Sequence, residues 1–174
     1  MTVYNYVGGN LSSMAITVTN NWLNLAEVWL YNKGARISPT SLTFILSSTM
    51  SGCDASGNPS TSTYPCSASY CNDGLLNTIC HSGTNVGSST LTIQSRGMIA
   101  VDQILIRNRQ DCCQDRFNTA MLIAYGNVTA IWSTVVPITS SLSYEFSIGK
   151  NVYVLIKIIA NHLTKTSFVS LKTQ

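Results

Sequence analysis

Charge is what this chain has least of. Lys and Arg number ten and Asp and Glu seven among 174 residues, 10% together, against about 25% in an ordinary soluble domain. Ser, Thr and Asn take up the difference, which suits a surface of hydroxyls and amides. So few carboxylates leave little for acid–base chemistry. No paired-carboxylate spacing occurs, and a Cys–His dyad would need a free thiol at Cys112, so the chain is expected not to be an enzyme. Its basic residues are scattered: Lys150, Lys157, Lys165 and Lys172 read as a solvated face. A nucleic-acid binder concentrates its charge on one element, so no nucleic-acid partner is expected.

Long apolar runs are missing too. No segment approaches the ~18 consecutive apolar residues of a membrane span, so none is expected. The N-terminal stretch has neither a basic start nor a long apolar centre and does not read as a signal peptide. Yet hydrophobic residues make up 45% of the chain, which excludes a disordered chain and is enough to fill a core. The expectation is one domain over residues 1–174.

What is present is alternation. Residues 15–19 and 22–31 read as two strands forming an N-terminal hairpin. In the second, Leu23, Leu25 and Glu27 fall on one face and Trp22, Asn24, Ala26 and Val28 on the other. Asn32-Lys33-Gly34 is a turn signal. Leu42, Phe44 and Leu46 alternate with Thr43 and Ile45. Further strands are expected at 91–93, 99–106, 121–125, 128–135, 144–148 and 152–159, and another at 168–171. Short strands without an amphipathic helix point to an all-β sandwich. The sequons at Asn10 and Asn127 are no more than a chain this rich in Asn, Ser and Thr produces by chance.

Between 47 and 87 the alternation stops. This long loop region is rich in Gly, Ser, Pro and Asn and carries Cys53, Cys66, Cys71 and Cys80. A structureless insert of this length needs staples, and an even number of cysteines provides them in an oxidising compartment. Two bridges are expected, their pairing open. No Cys-x2-Cys knuckle supports a zinc site made of these four with His81. Disulfides without a leader leave three settings: a leader removed, one never present, or maturation inside a cell, as in a large DNA virus with its own thiol-oxidation machinery.

The segment Ile104-Leu105-Ile106-Arg107-Asn108-Arg109-Gln110-Asp111-Cys112-Cys113-Gln114-Asp115-Arg116 closely resembles the signature of the fucose-binding F-type lectins. These belong to the discoidin family, the coagulation factor V/VIII type C domains. Their pattern is a His, a spacer, then Arg-x-Asp-x4-Arg, and Arg109, Asp111 and Arg116 fit its second half. His81, in Asn72-Asp73-Gly74-Leu75-Leu76-Asn77-Thr78-Ile79-Cys80-His81, is similar to the family's Asp-Gly…Cys-x-His loop. The 27 residues between His81 and Arg109 exceed the usual spacer by one. Leu23-Asn24-Leu25-Ala26-Glu27-Val28 resembles the family's closing strand, which here comes near the start.

The resemblance covers roughly residues 14–159 and implies a jelly-roll β-sandwich, circularly permuted and stapled by disulfides. It departs from the family at Ser89–Gln94, which replaces a Trp-Trp-Arg strand, at Gln110 in place of Gly, at Leu75 in place of Asn, and at Ala26, where a cysteine is usual. Cys80 must therefore pair elsewhere.

By the same resemblance, His81, Arg109 and Arg116 would donate hydrogen bonds to sugar hydroxyls. Asp111 would orient Arg109, and Cys112 and Cys113 would form a vicinal disulfide under the sugar. Calcium would sit at Asp73, Glu27 and Asn72, drawing on about six to eight oxygens; the bland reading is that Asp73 merely caps a turn. Arg116 could equally answer Asp115 or Asp111. The functional expectation is a carbohydrate-binding or adhesion module taking a glycan or glycoprotein. The alternative is a structural protein, a minor capsid or virion component of a large DNA virus, with other virion proteins as partners. Its location would be extracellular or on the virion surface.

Overall fold

In the computed structural model, residues 9–53, 64–83 and 85–148 are described. The stretches 152–159 and 168–171, read as strands, and the four lysines from Lys150 to Lys172 lie outside them. Twelve strands occur among the described residues: β1 (Gly9–Thr19), β2 (Asn24–Asn32), β3 (Ala35–Arg36), β4 (Leu42–Leu46), β5 (Ser51–Cys53), β6 (Tyr64–Pro65), β7 (Cys80–His81), β8 (Ser88–Val101), β9 (Gln103–Asn108), β10 (Met121–Gly126), β11 (Thr129–Val135) and β12 (Ser143–Ser147). The remaining regular structure there is short 3-10 turns, at Pro39–Ser41, Ala68–Asn72 and Gln114–Phe117.

The strands build two antiparallel sheets. One runs β11-β10-β1-β8-β4; the other runs β12-β9-β2-β3, with β7 also paired to β2; β5 and β6 form a separate ribbon. Met14, Ile16 and Val18 of β1 and Leu91 and Ile93 of β8 share one buried cluster with Leu30 of β2, Ile104 and Ile106 of β9, and Phe146 of β12. The sheets thus bury their apolar faces against each other in a β-sandwich-like arrangement, each fully buried Leu, Ile or Phe contributing about 1.5–3 kcal/mol.

Three local readings are corrected by the structure. First, β1 and β2 are not a hairpin: β1 is the middle strand of one sheet and β2 lies inside the other. Asn20, at φ 53°, begins the crossing between them. Second, strict alternation fails in β2, because a bulge shifts its register against β9 between Leu25 and Glu27. Leu23, Leu25, Val28 and Leu30 therefore all join the core, which places Val28 with Leu25 instead of opposite it. Third, 99–106 is not one strand. β8 ends at Val101 and β9 begins at Gln103, because Asp102 serves the neighbouring hairpin: its N–H donates to Tyr31 O, and its Oδ2 accepts from Lys33 N at 2.7 Å.

That hairpin, β2 to β3, turns through Lys33 (φ 51°) and Gly34 (φ 77°). Both central residues have positive φ, the geometry that matches strand twist in a two-residue connection. The cysteine-rich stretch is held by bridges Cys53–Cys66 and Cys71–Cys80, and Cys112 bonds Cys113. All six cysteines are thus paired, as expected of a protein from an oxidising environment. None of the described helical segments is long and apolar enough to cross a membrane.

Candidate functional site

Three chain segments meet at one end of the second sheet. The start of β2 pairs with β7, Asn24 opposite His81, and Leu25 lies opposite Asn108, the last residue of β9. From there residues 109–120 cross to β10 in the other sheet.

His81 is fixed from several sides. Cys80 ties its strand to Cys71, its carbonyl accepts from Met50 N at 3.2 Å, and the next residue is laced to β2. There Ser82 N donates to Leu23 O and Leu23 N donates to Ser82 Oγ, both at 2.9 Å. The imidazole is 2% exposed. Its Nδ1 lies 2.8 Å from Ser82 O; a carbonyl only accepts, so Nδ1 carries the proton. Burial lowers the ring's proton affinity below its ordinary value. The Ser82 bond works the other way, and the positive charges of Arg116 and Arg109 add to the lowering. With Nδ1 so protonated, the uncharged ring presents Nε2 as an acceptor; donation from Nε2 belongs to the charged ring.

The 109–117 loop is fastened to β9 by Asn108, a buried residue. Asn108 Nδ2 donates to Gln114 O (2.9 Å) and Ser141 O (3.1 Å), and its Oδ1 accepts from Arg109 N. Gln114 Nε2 closes the loop on Arg109 O at 3.0 Å, and Cys113 turns the chain at φ 64°. Phe117, 1% exposed, plants the far end in the core against Tyr144.

This frame sets both arginines. Arg109 makes a two-bonded contact with Asp111, Nε to Oδ1 at 2.5 Å and Nη2 to Oδ2 at 2.8 Å. Those bonds hold the Asp111 carboxyl down at about 2. The orienting role expected of Asp111 has its geometry here. Arg116 pairs with neither Asp111 nor Asp115; its guanidinium lies over the Trp22 ring at 4.8 Å, a cation–π distance. Trp22 in turn tilts against His81, the ring centroids 6.4 Å apart. His81, Trp22, Arg116 and the Arg109–Asp111 pair thus share one end of the sheet, with half-buried Cys112 and Cys113 in the same loop.

Two residues of this site escaped the sequence reading. Trp22 was legible only as a strand residue. Asn24 was read as the polar partner in an alternating strand, yet it is 2% exposed, and neither atom of its amide has a hydrogen-bond partner among the described residues. Its one signal was a polar residue between Leu23 and Leu25.

The residues expected to hold calcium form a second group around the β2 bulge. Glu27 is fully buried. Its Oε1 accepts from the N–H groups of Gly74 and Leu75, and its Oε2 accepts from Trp29 Nε1 at 2.6 Å. Arg36 lies over the Trp29 ring and 3.8 Å from Oε2. Burial, and next the Asp73 carboxyl beside it, push Glu27 up to about 7. Asp73 accepts from Leu75 N at 2.8 Å and from Thr78 Oγ1 at 2.7 Å, so it also caps its turn. Asn72 Oδ1 accepts from Arg36 at 3.0 Å. Two adjoining carboxylates suit a divalent cation in charge. Their oxygens, however, are aimed at N–H and O–H donors, and no group of three His, Cys, Asp or Glu among the described residues is placed to hold a metal.

No protein-family model, curated protein or solved structure matches this chain.

Proposed function

We propose that this chain is a non-enzymatic carbohydrate-binding or adhesion module of the F-type lectin kind. The observation that carries the reading is the gathering of His81, Arg116 and Arg109 around one another from two distant chain segments, with an aromatic ring among them. A sugar hydroxyl both donates and accepts. Arg109 and Arg116 supply donors, His81 Nε2 an acceptor, and Trp22 an apolar ring of the kind that packs on the C–H face of a sugar. An inorganic anion without a proton would leave His81 Nε2 unused. Cys112–Cys113 supplies a polarizable sulfur surface beside Arg109.

The jelly-roll order and the circular permutation belong to this proposal. Their support is the position of β2, whose Leu23-to-Val28 motif resembles a closing strand, between β9 and the β3 and β7 pairings. Calcium at Glu27 and Asp73, with Asn72 alongside, belongs to it as well. A cation there would replace the N–H groups of Gly74 and Leu75 as the partner of Glu27. An extracellular or virion-surface location belongs to the proposal too, supported by the three disulfides only as far as an oxidising environment.

A glycan array probed with the wild type and with Arg116→Ala tests the function. We expect the wild type to bind a narrow set of saccharides and the variant to lose at least about tenfold in affinity, since a charged donor to a hydroxyl contributes about 1.5–3 kcal/mol. A silent wild-type array overturns the reading.

One observation favours the second reading, an assembly brick in a virion shell. Met121 and Val135, cross-strand partners at the β11 edge, and nearby Ile138 are 47%, 56% and 77% exposed. Recovery of the protein only within particles would support that reading.

A further inference from the structure

We propose that Asn24 is the residue by which the site selects its saccharide, an inference that rests on the carbohydrate-binding reading above. Asn24 is the first residue of β2 and lies opposite His81 in the β2–β7 pairing. Directly opposed residues of antiparallel strands share a face, so the amide and the imidazole stand side by side. On the other flank of β2, Leu25 is opposite Asn108 and Arg109 comes next. Asn24 is therefore bracketed by His81 and by the arginine that begins the 109–117 loop.

Its amide is an anomaly for a structural residue. Both Nδ2 and Oδ1 are buried without a partner among the described residues. A buried polar group left in that condition destabilises the fold, and an apolar side chain of similar size would fit the same place at no such cost. Stability therefore does not explain an amide here; a ligand does. Among the neighbouring groups His81 Nε2 accepts and the arginines donate, whereas an amide offers a donor and an acceptor on one rigid plane. That combination matches two adjacent hydroxyls of a sugar, one donating to Oδ1 and the other accepting from Nδ2. The ligand class is a saccharide with a neighbouring hydroxyl pair, and the amide plane fixes the relative configuration it accepts. Both atoms are shielded from solvent, so the hydroxyl pair enters as a covering side chain turns aside.

The isosteric pair Asn24→Thr and Asn24→Val separates hydrogen bonding from shape. Each variant and the wild type are compared on a glycan array, by titration with the best saccharide, and by thermal melt. The expected result is that Asn24→Val melts above the wild type yet binds at least tenfold more weakly, while Asn24→Thr, whose single hydroxyl replaces only one of the two amide contacts, falls between them. Equal binding by the Val variant and the wild type overturns the role of Asn24 and leaves the carbohydrate reading intact. A Val variant that melts below the wild type also overturns it, because the amide is then satisfied within the fold. A wild type that binds no saccharide overturns the carbohydrate reading itself, and this inference with it.

Discussion

Glu27 gives the account a stability test that requires no ligand. Its folded value of about 7, against an ordinary 4.5, means the folded protein holds the Glu27 proton more tightly than the unfolded chain does. The stabilisation from this group is therefore complete below about pH 4.5. It is lost as pH rises through 7, where a buried carboxylate must carry charge. At about 1.4 kcal/mol per pH unit, the difference bounds the loss at about 3.5 kcal/mol. For a domain of this size that is at most roughly 7–14 °C in melting temperature. The assay is a series of thermal melts from pH 5 to pH 8 in the presence of a chelator, on the wild type and on Glu27→Gln. The wild type should melt lower at pH 8 than at pH 5, and the variant should show a flatter profile. Calcium at pH 8 should restore the wild type if the cation pairs with Glu27 and Asp73. Stability that rises with pH across this window would refute the reasoning about Glu27, and a melt indifferent to calcium would remove the cation.

Three further outcomes are expected. Arg109→Ala frees Asp111, so the Asp111 carboxyl, followed by NMR, should titrate well above about 2. Stability in the melt should fall by no more than about 1–2 kcal/mol, because Asp111 at 61% exposure stays hydrated while the Arg109 side chain, 9% exposed, gives up some packing; a larger drop would make Arg109 a structural tie. Mass mapping of non-reduced peptides should give Cys112–Cys113, Cys53–Cys66 and Cys71–Cys80, and a free thiol at 112 or 113 would contradict the loop's geometry. Removing residues 1–32 takes an interior strand from each sheet, so the truncated chain should show no cooperative melt; a native-like melt would contradict the topology.

The sequence showed most where one physical rule acted alone. Leu42, Phe44 and Leu46 alternate as a half-buried strand should, and the Asn32-Lys33-Gly34 turn falls where its positive-φ residues are needed. It misled where long-range pairing overrode local pattern. The β2 bulge is set by β9, some 80 residues away, and nothing within 22–31 announces it. The Asp102 break likewise depends on Tyr31 and Lys33. In the site, Arg109 and Asp111 were legible because their contact spans two residues. Trp22 beside Arg116, and Asn24 opposite His81, depend on strands brought together only by the fold. The role of His81 required its Ser82 contact to be known before donor could be told from acceptor.

The most direct test of the carbohydrate site is the NMR signal of His81 Nε2 during titration with a saccharide that the protein binds. The ring is neutral with Nδ1 held by Ser82 O, so Nε2 should shift as it accepts a sugar hydroxyl, and affinity should fall at a pH acidic enough to protonate it. A saccharide that binds tightly while the His81 Nε2 signal stays still, at a pH where the ring is neutral, would place the binding site elsewhere and contradict the account.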